Sequence, residues 1–534
     1  MTDPPETDAI KGIDLAGRLA DWPKMLVTHL ETQVLPEYFF ASRWFGGKRR
    51  TLQQLRVIRA VPGPWPGEVR LFIAEVTYAD SEREEYLLPL AVVSKVQLDH
   101  EVEGKPATMV SKLGPDDVLV DALTLPAFRA ALLAVLSGAD TMVGGLKPAG
   151  EGLAAALEEY GSATRFMSVE QSNASVAVGP RLWLKVYRKL ERGQHVEVEV
   201  MKHLHCSGAF AHIPPVHGSL SLSTGQGEST VAVLMERVGH VGDGWASALN
   251  CLAKGFDELM VGDFPGSAAV GREFPAPMQR FLARARQLGR RTGELHGALA
   301  LPGGEGRAFA PEPWTAEDAQ QLQQATRDAV ERLLASLQAE AAARPPEWAP
   351  LASRILKGQD ALLARMGMPP SNLAGGQKIR IHGDLHLAQV LDTGVDFVFI
   401  DFEGEPSLAM NERRFKRPAL KDVAGMLRSF QYAAAAALKN RSTEERLTLE
   451  EVAMAWASEA CRNYLKGYRE TAEGRGFLPD SALAFEDQLS ILLLEKVAAE
   501  VQYELSYRPS WADIPLGAVC SLINPDKSAF SNSL

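Results

Sequence analysis

The sequence predicts an α+β protein with a β-rich N-terminal part and a mostly helical C-terminal half. Short apolar runs separated by glycine, proline and aspartate turns, such as 69–78 and 85–94, recur in the first 240 residues and are typical of strands. Further along, apolar residues repeat at helical spacing, as at 281–300. The length of 534 residues allows two or three domains with a large core.

The N-terminal third predicts a small β-rich domain, which we place at residues 1–115. A helix is expected at 26–39, and another follows this domain at 125–137. Strands are predicted at 57–60, 69–78, 85–94 and 109–111. Basic residues at 43–50 stand beside Trp44 and Phe45, and the composition favours a solvated turn with both rings packed beneath it.

Lys185 is the first candidate functional residue. The segments 166–178 and 181–187 predict two strands, and Lys185 lies inside the second one among apolar residues. An unpaired ammonium is costly to bury, so Lys185 requires an anion, either a phosphate or a glutamate. Glu199, in the helical segment that follows, is the predicted partner. A strand lysine paired with a helix glutamate is how protein kinases grip nucleotide phosphates. The alternative is a lysine on an edge strand that reaches solvent.

Ser172, Asn173 and Ser175 lie in a predicted turn of this region, where hydroxyl, amide and N–H groups are expected to contact phosphates. These strands carry no GxGxxG, and the chain contains no GxxxxGK[ST], which excludes a standard protein kinase and a P-loop enzyme.

The polar, glycine-containing segment 239–245 follows a strand predicted at 231–237 and marks the expected hinge between two lobes. The second predicted domain is therefore a nucleotide-binding N-lobe at 116–240. The third is a helical C-lobe at 241–534, which carries the candidate catalytic residues.

The segment 381–406 organises the C-lobe and contains two aspartates, Asp384 and Asp401, with Gln389 between them. An alternating apolar run at 390–400, with a turn in its middle, predicts a hairpin that returns both carboxylates to one place. Kinases use one aspartate beside the attacking hydroxyl, and an amide and a second aspartate to hold Mg²⁺ against the phosphates. The alternative is a pair of polar loops that merely close a hairpin.

The rest of the C-lobe predicts long helices, with starts marked by Thr315 and Ser442, each followed three residues later by an acidic residue. The helical segments are expected at 281–300, 315–343, 351–366, 442–473 and 485–507. Lys496, Glu500 and Tyr503 share a face of the last helix. The simplest interpretation is a surface ion pair between Lys496 and Glu500. Asp422 is expected to order the Asp384 segment by hydrogen bonds.

Composition favours a cytoplasmic protein. The net charge of −11 argues against nucleic acid or an anionic membrane as the main partner. Four cysteines are widely spaced and follow no metal-binding pattern, which indicates buried thiols in a reducing compartment. The acidic N-terminal segment does not resemble a signal peptide, and no apolar run approaches the roughly 18 residues of a membrane span.

Several segments together resemble bacterial maltokinases, also called maltose-1-phosphate synthases, which are relatives of aminoglycoside phosphotransferases. The segments are RWFGGK at 43–48, EQSNASV at 170–176, HGDLHLAQVL at 382–391, FIDFEGEP at 399–406, RPALKDVAGMLRSFQYAA at 417–434 and EKVAAEVQYELSYRPSWADIPL at 495–516. The resemblance implies a two-lobed, protein-kinase-like fold with an N-terminal cap. It also implies ATP-dependent phosphorylation of maltose at its anomeric hydroxyl, giving maltose 1-phosphate for α-glucan synthesis.

The resemblance assigns a role to each candidate residue. Asp384 is expected to orient the sugar hydroxyl or act as its base, with Mg²⁺ on Gln389 and Asp401 and the phosphates on Lys185 and Glu199. The substrate side is assigned to His382, His386, Glu403, Lys496 and Tyr503. Some maltokinases are fused to trehalose synthase. We expect no room in this chain for a glycosidase barrel of about 250 residues beside the kinase. Any association with trehalose synthase is therefore expected to involve a separate chain.

Three alternatives remain open at this stage. The first is a related kinase that acts on glucosamine or glucose. The second is an aminoglycoside or choline kinase. The third is a catalytically inactive binding protein with a kinase fold. The sequence does not indicate an oligomeric state.

Overall fold

The structure, a computed structural model, describes residues 22, 24–101, 109–113, 115–138, 142–150, 153–167, 173–224, 227–261, 273–302, 307–339, 348–405 and 408–523. Ser172 lies outside these residues. The acidic N-terminal segment, which we do not expect to be a signal peptide, lies outside them as well. The chain forms two compact units. The N-terminal unit comprises residues 1–199 and 214–238, and the C-terminal unit comprises residues 200–213 and 239–534. The domain boundaries predicted from the sequence stay predictions.

The N-terminal unit begins with helix α1 (Lys24–His29), which continues through a π-helical turn at Leu30–Val34 into α2 (Leu35–Ala41). Its further elements are β1 (Leu52–Val61), β2 (Val69–Tyr78), β3 (Arg83–Ser94), α3 (Lys95–Glu101), β4 (Met109–Lys112), β5 (Asp117–Asp121), α4 (Pro126–Ser137), β6 (Leu146–Ala149), α5 (Leu153–Tyr160), β7 (Thr164–Met167), β8 (Ala174–Val178), β9 (Leu182–Val186), β10 (Lys189–Leu190), β11 (Val216–Thr224) and β12 (Gly227–Glu236). Helix α6 (Val196–Ser207) runs through the point where the units divide.

Two antiparallel sheets form the N-terminal unit. The first has the order β1-β2-β3-β5-β4, with β10 also paired to β3, and the second has the order β6-β11-β12-β9-β8-β7. β2 is buried on both faces: Leu71 and Ile73 join a core shared with α4 and the second sheet, while Phe72 packs in a core with α1 and α2. Hydrophobic burial on both sides of one strand therefore holds the first sheet to its neighbours.

Most predicted elements of this unit are confirmed, including the strand at 69–78 and the helix near 125–137. The expected packing of the basic turn is confirmed as well, since Phe45 is buried and both Trp44 and Phe45 contact Phe39. The single strand expected at 166–178 is wrong, because the structure has two paired strands there, β7 and β8. The polar residues in the middle of that segment interrupt the apolar alternation that one strand needs.

The C-terminal unit is mostly helical. Its elements are β13 (Gly242–Asp243), α7 (Gly244–Val261), α8 (Ala276–Leu299), β14 (Glu312–Pro313), α9 (Ala316–Ala339), α10 (Ala349–Lys357), α11 (Gln359–Ala364), α12 (Pro370–Leu373), β15 (Gln377–Ile379), β16 (Val390–Asp392), β17 (Phe397–Phe399), α13 (Met410–Arg413), β18 (Arg417–Pro418), α14 (Leu420–Lys439), α15 (Thr443–Ala472), α16 (Ala482–Tyr507) and α17 (Asp513–Ile523). Among the described helices, none combines the length and apolar character that crossing a membrane requires.

The helix signals in this unit are largely confirmed. At the start of α15 the Ser442 hydroxyl accepts from the Glu445 N–H, and the Glu445 carboxylate accepts from the Ser442 N–H. Thr315 and Asp318 make the same reciprocal contact before α9. The apolar stripe predicted on α8 is buried at 281, 285, 288, 295 and 299. One helix expected at 351–366 is instead α10 and α11, which meet at Gly358.

Candidate active site

The segment that carries Asp384 is an irregular loop held by one face of helix α14. We call residues 382–387 the Asp384 loop. The His382 and Gly383 N–H groups donate to the two carboxylate oxygens of Asp422, at 2.8 and 2.9 Å. Two turns further along α14, the Ser429 hydroxyl accepts from the Leu387 N–H at 3.0 Å. The loop is thereby fixed at both ends, independently of the Asp384 side chain.

Asp422 itself is fully buried and belongs to a hydrogen-bonded chain. His296 Nε2 donates to the Asp422 carboxylate at 3.0 Å, and His296 Nδ1 accepts from the Tyr468 hydroxyl at 3.0 Å. Burial alone would raise the pKa of Asp422, but the hydrogen bonds from His296 and Gly383, together with nearby His382, lower it overall. The predicted structural role of Asp422 is confirmed by these contacts.

The hairpin predicted between the two aspartates is present as β16 and β17, which pair antiparallel. Gln389 directly precedes β16 and Asp401 follows β17, so the two side chains meet at the open end of the hairpin. Gln389 Nε2 donates to Asp401 Oδ2 at 2.9 Å, and the Ile400 N–H donates to the Gln389 carbonyl at 3.0 Å. The structure therefore brings the two predicted metal ligands into direct contact.

The Asp384 loop also touches the loop of residues 400–405, which we call the Asp401 loop. Gly383 and Gly404 both have positive φ, and a Cβ added to Gly383 would lie 3.0 Å from the Gly404 Cα. His382 joins the loops as well, because its Nε2 is 2.9 Å from the Ile400 carbonyl. Two backbone segments this close can present Asp384 and Asp401 to the same ligand.

Asp401 has an unusual backbone conformation, with φ of 65°. Among the described residues other than glycine, Ser81 alone shares a positive φ. Such a conformation is strained for a residue with a side chain, and strain of this kind concentrates at functional sites. Here it turns the carboxylate back toward Gln389.

Gln389 and Asp401 fit a hard divalent cation such as Mg²⁺. Carboxylate and amide oxygens are the ligands that this ion prefers. The Gln389 amide oxygen and the Asp401 carboxylate are the groups that would hold the ion.

Asp384 is flanked by two nitrogen groups. Lys496 Nζ lies 3.7 Å from Asp384 Oδ1, and His386 Nε2 lies 3.8 Å from Asp384 Oδ2. Burial lowers the pKa of His386, with Lys496 and His382 acting in the same direction and Asp384 opposing them. For Lys496, burial is outweighed by Asp384, Glu500 and Glu405, and its pKa is raised. Lys496 is therefore a cation beside Asp384 at neutral pH.

The other predicted substrate residues have different surroundings. His382 is about 1% exposed and its ring is bonded to the Ile400 carbonyl, so the prediction that it contacts substrate is wrong. A buried imidazole that joins two loops has no open side for a sugar. Glu403 is half-buried in the Asp401 loop, and Tyr503 is exposed with its ring against Tyr507. For both, as for His386, a substrate role stays a prediction.

In the N-terminal unit, Lys185 lies on β9, a central strand between β12 and β8. Its side chain is buried, and the ammonium is 2.9 Å from Glu197 Oε2. Tyr187, two residues along the chain, donates its hydroxyl to the same oxygen at 2.6 Å. The alternative of an edge-strand lysine that reaches solvent is wrong.

Glu197 replaces Glu199 as the partner of Lys185, which corrects the sequence prediction. Residues two positions apart on a helix are rotated by about 200° around its axis and point to nearly opposite sides. Both glutamates therefore cannot face the same ammonium. Glu197 is buried and Glu199 is partly exposed. The start of α6 at Val196 places Glu197 in its first turn, and recognising that start would have indicated the correct residue.

Of the three residues predicted to contact phosphates, Asn173 and Ser175 lie in the part of the chain that the structure describes. Ser175 is buried on β8 directly opposite Lys185 in the strand register, rather than in a turn. Asn173 immediately precedes β8 and is half-buried. The structure places Ser175 beside Lys185, and phosphate contacts for both residues stay predictions.

Comparison with known proteins adds the family context. Residues 38–124 match the maltokinase N-terminal cap domain. A glucosamine kinase from Streptacidiphilus jiangxiensis is 26% identical over 356 residues, covering 66% of this chain and 71% of the relative. One from Mycolicibacterium smegmatis is 28% identical over 372 residues, covering 68% and 80%. A solved glucosamine kinase in complex with glucosamine, ADP and inorganic phosphate superposes with a TM-score of 0.60 at 20% identity, over 91% of this chain and 98% of that one.

The chain is an ATP-dependent sugar kinase. The resemblance to maltokinases is confirmed by the cap-domain match. The kinase-like α+β fold, with a β-rich cap and a mostly helical C-terminal part, is confirmed as well.

Two contacts of the candidate site were not predicted from the sequence. One is the pair of Lys185 and Glu197 described above. The other is the ion pair between Arg428 on α14 and Glu500 on α16. The sequence holds no local signal for this contact, because the two residues are far apart in the chain.

Proposed function

We propose that this sugar kinase transfers the γ-phosphate of ATP to the anomeric hydroxyl of maltose, giving maltose 1-phosphate and ADP for α-glucan synthesis. The observation that carries the proposal is the Asp384 loop. Its backbone is fixed by Asp422, its carboxylate stands beside the Lys496 cation, and it touches the loop that carries Asp401. The cap-domain match supports the maltokinase assignment.

In the proposed mechanism, Asp384 aligns the sugar hydroxyl for in-line attack and accepts its proton. Lys496 keeps a positive charge 3.7 Å from that carboxylate, at the place where the sugar hydroxyl would be aligned. Lys185, held by Glu197 and not by Glu199, compensates the charge of the nucleotide phosphates. Positioning and charge compensation account for most of the rate in phosphoryl transfer.

Gln389 and Asp401 would hold Mg²⁺, which when bound neutralises charge on the β- and γ-phosphates. The strained backbone of Asp401 keeps its carboxylate against the Gln389 amide, so the two candidate ligands stand side by side. To bind the same ion, the amide would turn its oxygen, in place of its nitrogen, toward the position beside Asp401.

Glucosamine is a second candidate acceptor. Two relatives carry the name glucosamine kinase, and Glu405 and Glu500 add negative charge around Lys496. Carboxylates near the acceptor position would favour a sugar that carries an ammonium group. Maltose, in contrast, is neutral and would gain no charge attraction from these carboxylates.

A side-by-side assay of maltose, glucosamine and glucose with ATP and Mg²⁺ tests the proposal. ADP release gives the turnover of each sugar, and ³¹P NMR of the product shows whether the phosphorus couples to an anomeric proton. Maltose with an anomeric phosphate supports the first candidate, and turnover of glucosamine alone replaces it with the second. ATP binding without phosphorylation of any sugar would indicate an inactive binding protein.

The setting of the reaction is part of the same proposal. The four cysteines, which remain unpaired thiols among the described residues, support a cytoplasmic location. Three of them are buried as expected, and Cys206 is exposed. Small molecules would be the main partners, with trehalose synthase met as a separate chain if the two enzymes associate. Co-purification of the two enzymes checks that association.

A further inference from the structure

An ion pair joins the two helices that surround Asp384. Arg428 on α14 is about 1% exposed, and its Nε and Nη2 atoms lie 2.9 and 2.7 Å from Glu500 Oε2 on α16. Its third nitrogen, Nη1, donates to the Gln431 side chain. Removing one partner of such a buried pair leaves an uncompensated charge, so the contact holds both side chains in place.

Glu500 is one helical turn after Lys496 and shares its face of α16. Lys496 therefore has Glu500 on its own helix and Asp384 on the adjacent loop as neighbouring carboxylates, with Glu405 on the Asp401 loop as a third. In the structure its ammonium lies 3.7 Å from Asp384, while Glu500 is engaged by Arg428. A lysine and a glutamate four residues later on a helix attract one another, and a second cation bound to the carboxylate weakens that attraction.

Helix α14 thus acts on the site in two ways. Asp422 and Ser429 fix the backbone of the Asp384 loop, and Arg428 lies on the same helix, one residue before Ser429. A helix that contacts the loop and the partner of Lys496 can set the distance between the Lys496 and Asp384 side chains.

We propose that Arg428 is a positioning residue: by occupying Glu500, it leaves the Lys496 ammonium beside Asp384, where the sugar hydroxyl is aligned. This inference rests on the proposed sugar kinase reaction and goes beyond it, because Arg428 acts through Glu500 and touches no substrate. Without Arg428, the Glu500 carboxylate draws Lys496 along the helix and away from Asp384. The acceptor site is then misaligned, while the nucleotide-binding residues are untouched.

Steady-state kinetics of Arg428→Met test the proposal. We expect kcat/KM for the sugar to fall on the order of 10-fold to 100-fold, the usual cost of a small misplacement in an active site, with the KM for ATP within about twofold. The double variant Arg428→Met/Glu500→Gln removes the competing charge as well, and we expect it to recover most of kcat/KM for the sugar. A purely structural ion pair would not give this recovery.

The matched control is Arg469→Met, which breaks the ion pair between Arg469 and Glu473 at the end of α15. It should leave the kinetics for the sugar within about twofold of wild type, since both side chains of this pair are exposed. Unchanged sugar kinetics in Arg428→Met, or a double variant as impaired as the single one, overturns the proposal. Melting temperatures show whether each variant is folded. If Arg428→Met is not folded, the sugar kinetics of the double variant alone decide the question.

A crystal structure of Arg428→Met separates this inference from the proposed function. The Lys496 ammonium should move from Asp384 to hydrogen-bond distance of Glu500, whichever sugar is phosphorylated. If Lys496 keeps its place beside Asp384, the inference fails even when the kinase activity is established. If wild type phosphorylates no sugar but Lys496 moves as expected, the proposed function fails and the positioning role stands.

Discussion

The Lys185 ammonium lies 2.9 Å from the Glu197 carboxylate, and the Tyr187 hydroxyl donates to the same carboxylate oxygen. All three side chains are buried or nearly so. One carboxylate oxygen with two donors holds the lysine in a single position, and this is the preorganisation that a phosphate-binding cation requires. Glu197, rather than Glu199, is therefore the residue that should govern nucleotide binding.

Exchange of Glu197 for Gln is expected to raise the KM for ATP and to lower kcat/KM for ATP roughly 10-fold to 100-fold, since Lys185 loses its counter-charge while the side-chain volume is kept. Steady-state kinetics at saturating sugar measure the effect. The matched control is Glu199→Gln on the same helix, for which we expect values within about twofold of wild type. Equal effects of the two variants would contradict the assignment of Glu197.

Exchange of Asp384 for Asn should lower kcat by a factor of about 10² or more, the usual contribution of a positioned general base. The Asp384 loop is fixed by Asp422 and Ser429, so the fold does not depend on this carboxylate. We therefore expect a melting temperature close to that of wild type. ADP release with the preferred sugar measures turnover, and a folded variant with turnover within tenfold of wild type would disprove the role of Asp384.

Asp401 allows a test that separates backbone strain from metal binding. Its φ of 65° suits Asn nearly as well as Asp, but it costs Ala about 1 kcal/mol. Asp401→Asn should therefore unfold at nearly the same denaturant concentration as wild type, and Asp401→Ala at a lower one. Both variants should lose turnover, and both should need more Mg²⁺ to bind ATP, which titration calorimetry measures. Normal Mg²⁺ dependence in Asp401→Asn would show that the metal lies elsewhere.

Much of the fold is local in origin, which is why the sequence predicted it. The capping pair at Ser442 and the apolar stripe of α8 depend on residues three to four positions apart, and both are confirmed. Two errors concern local signals that were given too little weight. Polar residues between β7 and β8 interrupt the apolar alternation, and Gly358 separates α10 from α11. Contacts between distant segments, in contrast, leave no local signal in the sequence.

The candidate site follows the same division. The Gln389–Asp401 contact was predictable because a short hairpin joins the two residues. Recognition of Asp422 as a structural residue also succeeded. His382 was misjudged because its burial depends on the approach of the two loops at Gly383 and Gly404. A residue close to a catalytic residue in the sequence can therefore point into the protein and hold a loop in place, without contacting the substrate.

Asp422 should make the stability of the protein depend on pH in the acid range. Its pKa in the folded state lies below the ordinary value of 3.8, because His296, Gly383 and His382 favour the carboxylate. A lowered folded pKa stabilises the fold above the unfolded pKa, and this stabilisation is lost as the pH falls through about 4 toward the folded pKa.

Asp422→Asn removes the charge and places an amide against three donors, so we expect a loss of roughly 3 kcal/mol at pH 7. Denaturant unfolding at pH 7, 5 and 4 measures the difference between wild type and variant, which should shrink only at the lowest pH. The control is Asp480→Asn, an exposed carboxylate that should show almost no difference at any of these pH values. If the Asp422→Asn difference grew as the pH fell, the carboxylate would be protonated in the folded state and its role in holding the Asp384 loop would be wrong.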